Sequence, residues 1–145
     1  MRNNNQLLEY KKKYLKRYRK NLALINRLKL KLELLNERIG SARAPSLSDM
    51  PRGGVPITDA DLIADRIELE ERISRLEIKS NRLKAEILEV IDDLDDPRYA
   101  EILELFYIEC MDFDQIAKEC HYTIRHIIRL YHESIELCKV NSEKE

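Results

Sequence analysis

Two heptad repeats constrain this chain more than anything else in it. In residues 5–39, Leu7, Tyr14, Leu28 and Leu35 recur every seven residues, and Tyr18, Ile25, Leu32 and Ile39 follow at an offset of four. Farther on, Leu62, Leu69, Leu76, Leu83 and Val90 repeat in the same way, with Arg66, Ile73, Ser80, Ile87 and Leu94 in the offset row. An apolar period of 3.5 residues sustained this long predicts a helix that buries one seam against another helix. Neither segment contains Gly or Pro. Gly40 is a suitable stop for the first, and Thr58 or Asp59 a suitable N-cap for the second.

The two seams fit each other when antiparallel. Pairing Ile39 with Leu62 sets Leu32 against Leu69, Leu28 against Ile73, Ile25 against Leu76 and Tyr18 against Leu83. In that register Asn21, a polar break in the first seam, falls opposite Ser80. One polar layer whose members satisfy each other fixes register at some cost in stability. Lys11 opposite Val90 and Arg66 opposite Leu35 are the remaining exceptions. Both lie near the ends, where a long stem can carry its charge to water. The expected hairpin is about 50 Å long.

Charge follows the same division. Residues 1–40 hold 12 Lys/Arg against 3 Asp/Glu, a net of +9, whereas residues 59–104 hold 7 against 15, a net of −8. The chain as a whole is near neutral, at −1. Opposite charge on consecutive helices predicts that they pair with each other, with a second copy or with a polyanion. Eleven apolar residues (Leu8, Leu15, Leu22, Leu24, Leu30, Leu34, Ile63, Ile67, Ile78, Leu88 and Ile91) lie off the seam. They widen the apolar stripe beyond what a two-helix hairpin covers. The expectation is a homodimer in which two hairpins form a four-helix bundle, and the alternative is a hairpin folded back onto its own C-terminal helices.

Between the helices, "GSARAPSLSDMPRGGVPIT" (residues 40–58) holds all three Gly and three of the four Pro, and reads as a loop. "PRGGVP" is similar to the Arg-Gly core of an AT-hook, which would give Arg52 a minor-groove role, but the second Arg is missing. A flexible connector is the simpler reading. No Lys-Ser or Lys-Thr follows the Gly pair, so a phosphate-binding P-loop is excluded.

After "DDLDDP" the pattern changes. Asp96 can cap a helix with Pro97 at its first position, expected over residues 97–111 with Ile102, Leu103, Leu105, Phe106, Ile108 and Cys110 inward. Asp112 or Asp114 can cap a second helix, "CHY" turns the chain, and Thr123 caps a third that runs to about residue 139. The spacing is that of a helix-turn-helix. Ala117 is the small residue where two helices cross. His121, four later, sits where the backbone must turn left-handed. Ile127 and Leu130, ten and thirteen after Ala117, hold the second helix, and Ile116, Cys120 and Tyr122 complete the core. The outward side of that helix then carries Ile124, Arg125, His126, Ile128, Arg129 and His132. In such units the N-terminal part of the second helix meets base edges in the major groove, where Arg pairs bidentately with guanine.

"DDPRYAEILELFYIECMDFDQIAKECHYTIRHIIRLYHESIE" resembles region 4 of bacterial sigma factors, as carried by phage-encoded sigma-like regulators of the ArpU and RinA type. With its coiled-coil front and its "SDMPRGG" loop, the chain is similar over nearly its whole length to phage proteins of Gram-positive hosts. The resemblance implies a DNA-binding transcription regulator working in the cytoplasm of a host bacterium. It implies double-stranded DNA as partner, possible contact with RNA polymerase, and base contacts from Thr123, Arg125, His126 and Arg129. The sequence departs from the usual pattern with His121 in place of Gly and Cys120 in place of Leu.

The expected organisation is therefore all-α: residues 1–96 an antiparallel coiled-coil hairpin that dimerises, and residues 97–145 the DNA-binding unit. His132 is expected on the phosphate side of the DNA. The lysine-rich helix adds phosphate contacts through Lys12, Lys16 and Arg19, since the antiparallel register returns residue 94 beside residue 7. The alternative is a coiled-coil interaction protein that binds RNA polymerase or another protein without reading sequence.

No Ser/His/Asp grouping, metal-type cluster or nucleotide loop suggests an enzyme, a cofactor or a metal. Cys110, Cys120 and Cys138 read as reduced thiols among apolar residues. No apolar run approaches the roughly 20 residues of a membrane span, and the first 20 residues have no signal-type stretch.

Overall fold

A computed structural model of the chain describes residues 3–41 and 58–140. The described residues are all-α, with six helices: α1 (Asn4–Leu15), α2 (Arg17–Ser41), α3 (Asp59–Asp92), α4 (Pro97–Tyr107), α5 (Phe113–Cys120) and α6 (Ile124–Leu137). The first long helix predicted from the repeat is two helices that part at Lys16, across which the i→i−4 bonding of Lys16 to Lys12 and Lys20 to Lys16 continues. Gly40 does not stop α2, which runs on to Ser41. The second long segment starts where expected. The Thr58 hydroxyl accepts from the Asp61 amide at 3.3 Å, and the Asp61 carboxylate accepts from the Thr58 amide at 3.2 Å. The Thr58 hydroxyl donates to the Asp61 carboxylate at 2.8 Å, and this bond, with the one from the Thr58 amide, holds the exposed Asp61 carboxyl below the usual carboxylate range. The segment containing Arg52 and most of the 40–58 loop lies outside the described residues.

The chain divides into two compact units, one made of residues 1–21 and 80–145, the other of residues 22–79. This differs from a boundary at residue 96. The physical reason lies in the core of the first unit. Leu15 of α1 and Ile87 and Ile91 of α3 are fully buried in one cluster with Ile102, Leu103, Ile116, Ile127 and Ile135 of α4, α5 and α6. Leu8 and Leu88 pack against the same cluster. Leu8, Leu15, Leu88 and Ile91, surplus to the seam, are covered by α4–α6 of their own chain.

In that unit the polar layer is as the register requires. Asn21 Nδ2 donates to Ser80 Oγ at 2.7 Å, and both residues are buried. Arg17 pairs with Glu86 at 2.9 Å, bringing basic α2 and acidic α3 together. Lys11, an exception in the heptad, does not snorkel to water. It is 8% exposed, and its Nζ donates to the Glu136 carbonyl at 2.8 Å. That carbonyl lies in the last turn of α6, where helix carbonyls lack partners and the helix dipole favours a cation.

The unit of residues 22–79 has a narrower core. Ile25, Leu28 and Ile73 are buried, with Leu24, Leu32, Leu69 and Leu76 packed around them. Leu28, Leu32, Leu69, Ile73 and Leu76 are thus in one seam, and Lys29 meets Glu77 across it at 3.0 Å. Arg66 pairs with Glu70 of its own helix, at 4.0 Å. Leu30, Leu34, Ile63, Ile67 and Ile78 remain exposed, Ile78 by as much as 71%.

Candidate nucleic-acid interface

Local capping chemistry builds the three C-terminal helices. Asp96 accepts from the Arg98 amide at 2.9 Å, with Pro97 at the first position of α4. The Arg98 side chain also bonds this carboxylate, and together these contacts hold the half-buried Asp96 carboxyl below its ordinary range. Helix α4 ends at Tyr107, four residues short of the sequence expectation, because the backbone turns left-handed at Cys110 (φ 58°). Cys110 therefore lies in a turn and not on a helix. Asp112, not Asp114, caps α5: it accepts from the Gln115 amide at 2.8 Å, and the Gln115 side chain accepts from the Asp112 amide at 3.0 Å. Reciprocal capping of this kind satisfies two otherwise orphaned donors.

Helix α5 ends at His121, which is left-handed (φ 60°, ψ 39°). The amides of His121 and Tyr122 both donate to the Ala117 carbonyl. Thr123 then caps α6, its hydroxyl accepting from the His126 amide at 3.2 Å. Ala117 is buried between the helices, and Ile127 and Leu130 are buried on α6, at the positions the spacing assigned to them. Tyr122 is not a core residue. It is exposed, with its ring edge-on to His126 at 4.7 Å, and Cys120 is only half-buried. Residues flanking a left-handed turn point where the turn sends them, which apolarity alone does not reveal.

The aromatic heart of this unit is larger than the spacing suggested. Tyr107 and Tyr131 are buried with their hydroxyls 2.6 Å apart, and Phe106 stacks on Phe113 at 5.1 Å. Ser134, fully buried, donates to the Tyr131 carbonyl at 2.7 Å. Burial and the Tyr131 hydroxyl raise the Tyr107 phenol well above its usual range, so it stays neutral. Burial likewise pushes the Cys138 thiol up to about 11, so it is a protonated, packed side chain at neutral pH. Tyr107 and Tyr131 carried a weak signal in the sequence, since both lie at helical spacing from apolar neighbours.

The outward side of α6 carries the polar residues singled out above. Arg125 and His132 are exposed. Arg129 is exposed too, with its Nη2 3.0 Å from His126 Nδ1 and its Nε 3.9 Å from Glu133. Glu133 also accepts from the Tyr99 hydroxyl at 2.7 Å, so the far part of this face is partly neutralised by its own chain. Arg125, next to the Thr123 cap, stands ahead of that network.

Helix α1 belongs to the same unit. Lys12, Lys13, Lys16 and Arg19 line an open groove of about 810 Å³ with Phe106, Tyr107 and Tyr131. Their availability differs. Arg19 is held in place: its guanidinium lies 4.8 Å from the Phe106 ring centre and donates to the Phe106 carbonyl at 3.4 Å. It is better read as a packing residue than as a phosphate contact. Lys12 reaches Glu9 at 3.7 Å, a weak surface pair, and Lys13 and Lys16 are exposed. Among the described residues no group of three or more His, Cys, Asp or Glu side chains is placed to hold a metal ion. Nor, among them, is any helix long and apolar enough to cross a membrane.

Capped helices around a left-handed turn, with Arg125 and Arg129 exposed on the second of them, define an all-α protein. Residues 41–134 match a family model described as a protein of unknown function, DUF1492. That match covers more than half of the chain, which belongs to this family. No curated protein and no solved structure matches the chain.

Proposed function

We propose that the chain is a DNA-binding transcription regulator of phage or prophage type, reading duplex DNA with α6. The observation that carries this reading is the junction of α5 and α6. A buried Ala117, a left-handed His121 and a Thr123 cap set the start of α6 outward, with Arg125 exposed beside the cap. A helix presented in this way fits the major groove with its first turn at the base edges. Arg125 and Arg129 are the proposed base-reading cations, with Thr123, His126 and His132 around them. Lys12 and Lys16, in the same unit, supply phosphate contacts whose contribution falls with salt. The resemblance to sigma-factor region 4 supports the same reading and makes RNA polymerase a candidate second partner. The exposed apolar residues of the 22–79 unit support a homodimer formed there.

The test is binding of the purified protein to fragments of the genome that encodes it, at several salt concentrations, beside an Arg125→Ala/Arg129→Ala double variant. Selective retardation of one fragment, lost in the double variant, is the expected result. Equal retardation of all fragments that vanishes with salt would credit the lysines alone. No binding at low salt would replace this reading with that of a protein-binding helical module, and capture of RNA polymerase would then be the measurement to make.

A further inference from the structure

Ile124 is out of place for a packing residue. It is the first residue of α6 and is 45% exposed, between the Thr123 cap and Arg125. The other large apolar side chains of α6 that face α4 and α5, such as Ile127 and Leu130, are buried. Tyr122, the neighbouring exposed apolar group, is occupied edge-on with His126. Ile128, one turn beyond Ile124 and half-buried, lies on the same row of the helix. The exposed side of α6 thus has two adjacent rows, a polar one of Arg125, Arg129 and His132 and an apolar one led by Ile124.

An apolar side chain beside a cation at the head of a groove-entering helix has one matching feature in duplex DNA. In the major groove the only apolar group on a base edge is the C5-methyl of thymine, and guanine alone offers the paired acceptors that Arg grips. We infer that Ile124 reads a thymine methyl at a base pair next to the guanine read by Arg125. The target site therefore carries thymine and guanine as neighbouring major-groove features. This inference rests on α6 reading DNA, and it names the specificity of that same site.

The experiment starts with selection of duplexes from a randomised pool by the full chain. In the selected duplex each thymine is then replaced singly by deoxyuridine, which removes the methyl and leaves the base pairing intact. One position is expected to lose about 4-fold in affinity, the equivalent of one buried methyl-sized group. Ile124→Ala should lose a similar amount on the thymine duplex and show no further loss on the deoxyuridine duplex, because the two changes remove one contact. Ile124 is exposed, and an unchanged circular dichroism spectrum would establish that the variant is folded. Selection of a defined sequence that tolerates deoxyuridine everywhere would overturn the methyl contact while keeping the DNA reading. Undiminished methyl sensitivity in Ile124→Ala would also overturn it. Failure to select any sequence would overturn the DNA reading and this inference with it.

Discussion

His121 holds a backbone conformation that glycine adopts freely and other residues adopt at a cost. Among the described residues no side-chain bond of His121 repays that cost; the ring is exposed and the turn is closed by backbone amides on the Ala117 carbonyl. His121→Gly should therefore raise stability by about 1 kcal/mol, which moves the melting temperature of a chain this size by roughly 3 °C. Urea unfolding of the two proteins checks this, and an unchanged or lower midpoint would show that the imidazole contributes something the contacts do not reveal. The case for a helix-turn-helix despite a histidine at this position rests on the same geometry. The spacing of Ala117, Ile127 and Leu130 carries enough burial to impose a left-handed residue between the helices.

Element by element, most of what could be read in advance was periodic. The seam of Ile25, Leu28 and Ile73, the Asn21–Ser80 layer and the caps at Asp96 and Thr123 follow from local pattern, because seven-residue and three-residue spacings state which side chains share a face. What pattern does not state is the identity of the cover. Leu15 and Ile91 read as apolar surplus, and only the fold shows that α4–α6 lie over them. Lys11 read as a defect for the same reason, its partner being 125 residues away. Its ammonium caps the end of α6, and a charge-assisted bond of this kind is worth about 1.5–3 kcal/mol. Lys11→Met keeps the stem and removes the charge. It should lower unfolding stability by about 2 kcal/mol, with hydrogen exchange at the C-terminal turn of α6 accelerating more than exchange in α5. Equal acceleration in both helices would mean that Lys11 acts through general packing instead. Tyr122 escapes periodic reasoning, since an apolar residue beside a turn is ambiguous until its neighbours are placed, whereas the spacing of Ala117, Ile127 and Leu130 already set Ile124 outward.

For the molecule as a whole, the distribution of uncovered apolar side chains is uneven. The unit of residues 22–79 buries only a thin seam and leaves Leu30, Leu34, Ile63, Ile67 and Ile78 in contact with water. Five such residues on a small unit are a liability in a monomer and an asset in a dimer. Analytical ultracentrifugation should give a dimer at micromolar concentration, and Ile67→Glu/Ile78→Glu should give a monomer with its α4–α6 core intact. A wild-type protein that sediments as a monomer throughout would remove the dimer from the proposed function. The other unit carries a different consequence, one of timing. Its core needs α1 and α6 together, and the two are tied by a bond between residues 11 and 136. At the usual 5–20 residues per second of synthesis, α1 waits roughly 6–25 s for its partner to be made. Throughout that interval the lysine-rich helix lacks the share of its cover that α6 supplies, and a ribosome stalled anywhere before α6 holds a chain whose Lys11 has no Glu136 carbonyl to bond.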